Sequence, residues 1–546
     1  MTPIFELCDE YITAWAALDP VQAEMHGIVG GAGNGTDYGP DGYRARAELI
    51  AATLGRLAPL EPTSEADRRA AAHLRERLEA DAAWHETGEQ WRQLRAQFGP
   101  LSQVRDGVHL IAHADEEGWR RVLTRLGDVP AMLEGWRASL AHGLATGLPA
   151  ARRQALEAAV QADRYAGGTH AKLAAEADGT LVAELAAAAE RAHEAYAETA
   201  RFLREEYAPR AAQADGVGLE RYKVLARKML GTDLDPHEAY EWGWAELDRL
   251  EAELVAESDK LSPGASVAEA IDLLNGTEYV TGVDAYHAWL KEWHERAVDR
   301  LDGVHFDIPA KLRTVDVTIA HDSNSGAPYY TPPSEDLSRP GRTWWPLSGR
   351  DRFATWNELA TVFHEGVPGH HLQFGAMKAS GDALSRFART VFVPANAEGW
   401  ALYSERLADE LGWYTEPGSR IGMLVGSAWR AARVVVDIGV HVGLPLPAGT
   451  EWAGQAWTFD RASTVLRERG HLIEARIHAE LVRYLGWPAQ AISYKLGERV
   501  WVAAREEARR RSGFDLKRWH TAALEVGPIG LDGLVDTLRR IDASNE

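Results

Sequence analysis

The sequence predicts a mainly α-helical chain, interrupted once by a small β or irregular insertion near residues 305–350. Three observations carry this reading. From about residue 64 to 210 the chain is rich in Ala, Arg, Glu and Leu, with apolar residues three and four apart, as in the run from Leu181 to Tyr207. Helical patterning resumes at Asp235-Pro236 and again from Arg352 to the end. Only the stretch between them loses the helical period.

Helix breakers and turn formers gather at 28–42, 208–218 and 257–266. The break from Ala208-Pro209-Arg210 through Gly218 divides an N-terminal helical region, 1–210, from a C-terminal helical region, 211–546, that carries the chemistry discussed below. Asp235 is placed to cap a helix whose first position is Pro236. In the insertion, Val315-Asp316-Val317-Thr318-Ile319 alternates with period two, while Tyr329 to Pro333 and Arg339 to Trp345 read as irregular or short β structure. The cluster Gly30-Gly31-Ala32-Gly33-Asn34-Gly35 reads as a flexible loop, because no strand precedes it and no Lys-Ser/Thr follows as a phosphate loop requires.

Single cores stop growing at roughly 250–300 residues. A chain of 546 residues is therefore expected to hold two core-bearing regions, or one elongated body with a cleft between lobes. With 59 Lys+Arg against 81 Asp+Glu the formal charge is −22, which excludes a basic nucleic-acid footprint over the whole chain. The single cysteine, Cys8, allows neither an intramolecular disulfide nor a thiolate metal cluster. The first ten residues carry acids where a signal peptide has its apolar core, and no apolar run approaches the ~18 residues of a membrane span. A cytoplasmic protein without membrane or nucleic-acid partners is expected.

The informative segment runs from Trp356 to Gln373, where an apolar helical approach ends in His364-Glu365 and continues Gly366-Val367-Pro368-Gly369-His370-His371-Leu372-Gln373. Zinc-binding helices of the usual kind place histidines at i and i+4, with a glutamate after the first to handle the proton of the attacking water. Here i+4 is Pro368, which cannot ligate. On an unbroken helix His371 returns to the face of His364, but about 10 Å further along the axis, too far for two bonds of about 2 Å to one ion. Pro368 removes a helical hydrogen bond and Gly369 relaxes the backbone, so the helix must bulge or break there. That leaves His370 and His371 as second-ligand candidates, with His370 favoured by the Gly-His register. Glu398, in Ala395 to Glu405, supplies a carboxylate 398 − 364 = 34 positions after the first histidine, completing a site with an open position. Glu405 shares its helical face and is placed to hydrogen-bond a ligand.

The chain resembles the bacterial family known as domain of unknown function 885, whose signature His-Glu-x-x-Pro-Gly-His-His-Leu-Gln followed by Glu-Gly-Trp-Ala stands here at His364–Gln373 and Glu398–Ala401. Further similar stretches are Asp19 to Gly27, Gly218 to Tyr222, Ser338 to Gly341, Val436 to His441 and Pro488 to Tyr494, with Ala489 where the family pattern has glycine. Such proteins look like distant relatives of the helical gluzincin peptidases. The resemblance implies a large elongated gluzincin-like fold with a central cleft. It also implies one Zn²⁺ per chain on His364, His370 and Glu398, with Glu365 as general base, and short peptides as substrates. Similarity to gluzincins also makes the Tyr494 hydroxyl a donor to the developing oxyanion.

Arg433, Asp437 and His441 fall at i, i+4 and i+8 of an otherwise apolar helix and form one polar stripe. Two readings stay open for it: a satisfied core network, or a direct role of His441 in stabilising the tetrahedral intermediate. Arg339 and Lys495 are candidate cations for a substrate carboxylate, and Tyr330, beside Tyr329, is a candidate lining residue. The same apparatus would serve a metal-dependent hydrolase of a non-peptide amide or ester. A non-catalytic metal- or peptide-binding protein gives Glu365 little to do. The end from which a peptide is cut and the oligomeric state are not written in the sequence.

Overall fold

A computed structural model of the chain describes residues 1–28, 33–95, 97–320, 327–335, 337 and 339–543. It is mainly helical, with five short strands among the described residues. Two compact units are present, Met1–Leu225 with Val482–Pro488, and Ala226–Leu481 with Ala489–Glu546.

In the first unit, helices Pro3–Leu18, Pro40–Leu57 and Glu65–Glu86 pack together, and Glu116–Ala145, Arg152–Ala166 and Val182–Arg201 form a second group. Ser64 accepts from Asp67 N and Asp115 from Gly118 N, so side chains satisfy amides that the helix starts would orphan. Buried Ala155, Ala158, Ala159 and Ala162 and buried Ala188, Ala189 and Ala192 join one core, and such small side chains allow close helix approach. The predicted Leu181–Tyr207 run is helical from Val182 to Arg201 and ends in a π turn at Phe202–Tyr207. This unit extends past residue 210, where the sequence reading divides the chain, because Arg221 grips Glu89 with two bonds of 2.5 and 2.8 Å. The returning segment 482–488 is tied in where Gln154 Nε2 donates to Val482 O at 2.8 Å. Gly30, Gly31 and Ala32 of the Gly30–Gly35 cluster fall on residues outside those described.

In the second unit the helix Pro236–Leu261 begins as predicted, with Asp235 accepting from His237 N and Glu238 N. It packs along Ser419–Ile438. The insertion is a three-stranded sheet in which Arg342–Pro346 runs parallel to Asp316–Ala320 and antiparallel to Tyr329–Thr331. A second ladder pairs Tyr279–Thr281 with Arg352–Ala354 and leads directly into the helix Thr355–Glu365. Three more helices complete the surroundings of the site: His370–Ala379, Pro394–Glu410 and Ser493–Arg509. Among the described residues no helix is long and apolar enough to cross a membrane.

Helices Pro394–Glu410 and Ser493–Arg509 cross backbone against backbone. A Cβ on Gly399 would collide with the Gly497 main chain, and one on Gly497 with the Ala395 carbonyl oxygen. Trp501 Nε1 donates to Asn396 O at 3.1 Å and fastens the crossing. Overpacking of this kind costs about 1–3 kcal/mol. Gly497→Ala is therefore expected to lower the stability of this unit by that amount in denaturant unfolding, and an unchanged transition would contradict the contact.

Candidate metal centre

The helix carrying His364 stops because Gly366 leaves helical space (φ −95°, ψ −127°), and a new helix starts at His370 directly after Gly369 (φ −70°, ψ −133°). Hydrogen bonds span the break. Gly369 N donates to Phe363 O at 3.0 Å and His371 N to Gly366 O at 3.1 Å. Trp400 Nε1, from the neighbouring helix, donates to Pro368 O at 2.8 Å. Gly369 is required by close approach, since a Cβ there would collide with the His364 carbonyl oxygen. Gln373 Nε2 donates to Asn396 Oδ1 at 2.9 Å, and Asn396 Nδ2 to Ile529 O at 2.8 Å, locking the second helix to the Glu398 helix.

This break brings His364, His370 and Glu398 together, with one ligand atom from each lying within 4.8 Å of the others. Glu398 Oε2 stands 3.4 Å from His364 Nε2 and 3.5 Å from His370 Nε2. Two donors about 2.05 Å from an ion at the tetrahedral angle stand about 3.3 Å apart, whereas a direct charge-assisted hydrogen bond is about 2.7–2.9 Å. The spacing and the donor chemistry fit a divalent ion such as Zn²⁺. His371 is committed elsewhere. Its Nε2 faces Leu312 O at 2.8 Å and its Nδ1 the Tyr330 hydroxyl at 3.2 Å, which leaves His370 as the second ligand candidate.

Glu405, 2% exposed, meets His364 Nδ1 at 2.8 Å and thereby points Nε2 at the centre, the role its helical spacing predicts. Arg430 stands 3.4 Å from the same Glu405 oxygen. Sequence reading misses Arg430, although it lies three residues before Arg433 and extends the polar stripe by one turn.

The site is electrostatically polarised. Burial alone would depress the His364 pKa, but Glu398, Glu405 and Glu365 outweigh it and hold it up at about 9. Burial would raise Glu398, yet the two imidazoles keep it well below the usual carboxylate range. Glu365 is raised by burial, and Glu398 adds to the effect while His364 and His370 offset part of it. His371 is pushed down to about 4 by burial.

The remaining predicted residues divide. Tyr494, in the first turn of its helix, stacks on His364 (centroids 6.5 Å, 19°) with the Arg433 guanidinium 4.6 Å from its ring centroid. Tyr330 stacks on His370 at 6.5 Å and feels the Glu365 charge, so it borders the centre. Arg339 is exposed, with Nη2 donating to Pro332 O at 2.9 Å; Ser338 lies outside the described residues. Lys495 corrects an expectation. It is 1% exposed, pairs with Glu246 at 2.9 Å and with Glu498, and donates to Ser427, so internal carboxylates already occupy the ammonium offered to a substrate. His441 is buried in a π turn with Nε2 3.9 Å from Asp437 Oδ1. Both Asp437 oxygens accept from Ala489 N, at 3.1 and 2.9 Å. Ala489 has φ +66°, the left-handed conformation that explains glycine in the family pattern.

A family model described as bacterial protein of unknown function (DUF885) matches residues 20–538. The chain belongs to DUF885. No curated protein matches it. Two solved structures share this DUF885 fold. A candidate lipoprotein from Colwellia psychrerythraea has 20% identity over 99% of each chain at TM-score 0.85. A candidate lipoprotein of unknown function from Shewanella oneidensis has 18% identity over 98% of this chain and 99% of that one at TM-score 0.75.

Removing a partner that orients a metal ligand typically weakens binding about 10–100-fold. Calorimetric titration with Zn²⁺ should show that loss for Glu405→Ala and no measurable binding for His370→Ala. His371→Ala should still bind. Loss of binding in His371→Ala with retention in His370→Ala would reverse the ligand assignment.

Proposed function

We propose that the protein is a zinc-dependent metallopeptidase acting on short peptides, distantly related to the helical gluzincins. The observation that carries the proposal is a buried carboxylate, Glu365, directly following one of three donors spaced for a divalent ion. A purely structural metal site has no use for such a group, and a hydrolase does.

His364, His370 and Glu398 would hold the ion, and Glu405 fixes the imidazole of His364. A bound Zn²⁺ supplies Lewis acidity toward water and the scissile carbonyl. Glu365 takes a proton from the attacking water and returns it to the leaving amine. Its burial supports this role, because a raised pKa keeps a carboxylate basic enough to accept the proton and acidic enough to give it up. Tyr494, held against His364 and under Arg433, would donate its hydroxyl to the oxyanion. Tyr330 walls the side next to His370. Cys8 as the single cysteine suits a reducing, cytoplasmic compartment, while both solved neighbours are described as lipoproteins; fractionation of native cells separates these two settings.

Mass spectrometry of a mixed peptide library incubated with zinc-loaded protein tests the activity. Glu365→Gln should retain zinc and lose about 10²–10⁴ in turnover, and Tyr494→Phe about 10²–10³. Undiminished hydrolysis by Glu365→Gln would remove the assigned base, and intact peptides with the wild-type protein would remove the peptidase.

A further inference from the structure

Lys378 is the anomaly. It sits near the end of the His370–Ala379 helix, is 7% exposed, and makes no hydrogen bond or ion pair among the described residues. Its electrostatic neighbours are Arg339, Arg386 and Arg389 against one described carboxylate, Glu335, which already meets Arg386 at 3.3 Å. Arg389 adds a buried Nε without a hydrogen-bond partner among the described residues. Four cations thus gather in a chain whose net charge is −22. A buried charge without a direct partner is costly, and among the described residues only Glu335, already engaged by Arg386, stands near to offset it.

Its position relates the anomaly to the metal centre. His370, Phe374 and Lys378 follow one another at four-residue intervals and form one ridge of the helix. Tyr330 stacks beside that ridge, on His370 at 6.5 Å and on Phe374 at 6.2 Å, and Phe392, 37% exposed, packs edge-on against Phe374 at 5.3 Å. Tyr330 also lies within the fields of both Glu365 and Arg339. Eight residues of helix separate the two ends by about 12 Å. An extended peptide at about 3.3 Å per residue covers that distance in three to four residues.

We propose that Lys378, with Arg339 and Arg389 nearby, binds a substrate carboxylate three to four residues beyond the scissile bond, with Tyr330 and the exposed Phe392, both packed on buried Phe374, forming the apolar surface between. This rests on the peptidase reading and narrows its substrates to short peptides that end in, or carry, a carboxylate. The anion is either the terminal carboxylate or an Asp/Glu side chain, and the chemistry at Lys378 is the same for both.

Zinc-loaded Glu365→Gln, alone and combined with Lys378→Met, is titrated calorimetrically with matched pentapeptides. They end in a free acid, in an amide, or in an amide preceded by Glu or Gln. The free acid, or the Glu-bearing amide, should bind at least tenfold more tightly than its neutral counterpart, and Lys378→Met should erase the difference. The member of the pair that shows the preference identifies the source. Equal affinity for acid and neutral forms, or a preference that survives Lys378→Met, overturns the proposal whether or not peptides are ever cleaved. Absent cleavage with the preference intact removes only the peptidase reading. Lys378→Met should also raise the thermal midpoint, since it removes an unpaired buried charge; a lowered midpoint would show that the ammonium has an internal partner and would equally overturn the proposal.

Discussion

Two imidazoles six residues apart converge on one carboxylate, Glu398, and an unbroken helix cannot bring them there. Four residues, Gly366 to Gly369, resolve the conflict by ending one helix and starting another. Much of the surrounding structure serves to hold that interruption still. Trp400 takes the Pro368 carbonyl, Phe363 takes the Gly369 amide, and Gln373 ties the second helix through Asn396 to Ile529. A break left to solvent would let the two histidines drift, and a coordination sphere with bonds near 2 Å tolerates little drift.

Polar groups behind the centre are organised in the same spirit. Glu405 orients His364, Arg430 stands against Glu405, and Tyr414 donates to the Glu405 carbonyl at 3.1 Å. Each buried charge therefore has an opposing group within reach, as low-dielectric surroundings demand. Lys495 belongs to this inner network with Glu246 and Glu498. Lys378, toward the far end of the His370–Ala379 helix, departs from the rule.

Much of this was legible in the sequence because the decisive signals were local. The i+4 proline excluded a regular zinc helix, the Gly-His register favoured His370, and the seven-residue step from Glu398 to Glu405 put both on one face. Asp235-Pro236 marked a helix start in the same way. What escaped was set by contacts between distant segments. The parallel pairing of Asp316–Ala320 with Arg342–Pro346, the return of 482–488 to the first unit, and the capture of Lys495 by Glu246 each join residues that no short window contains. Spacing showed that Lys495 was a cation near the right helix turn, but its neighbours decided its role.

The glycine crossing has a consequence for how the site can change. Glu398 adjoins Gly399, and Tyr494 lies one turn from Gly497, so the third donor and the aromatic over His364 ride on two main chains with no side chain between them. Neither can be adjusted by repacking. The side beside His370 is freer, because Tyr330 there is carried by a three-residue strand that can be retuned without disturbing the donors.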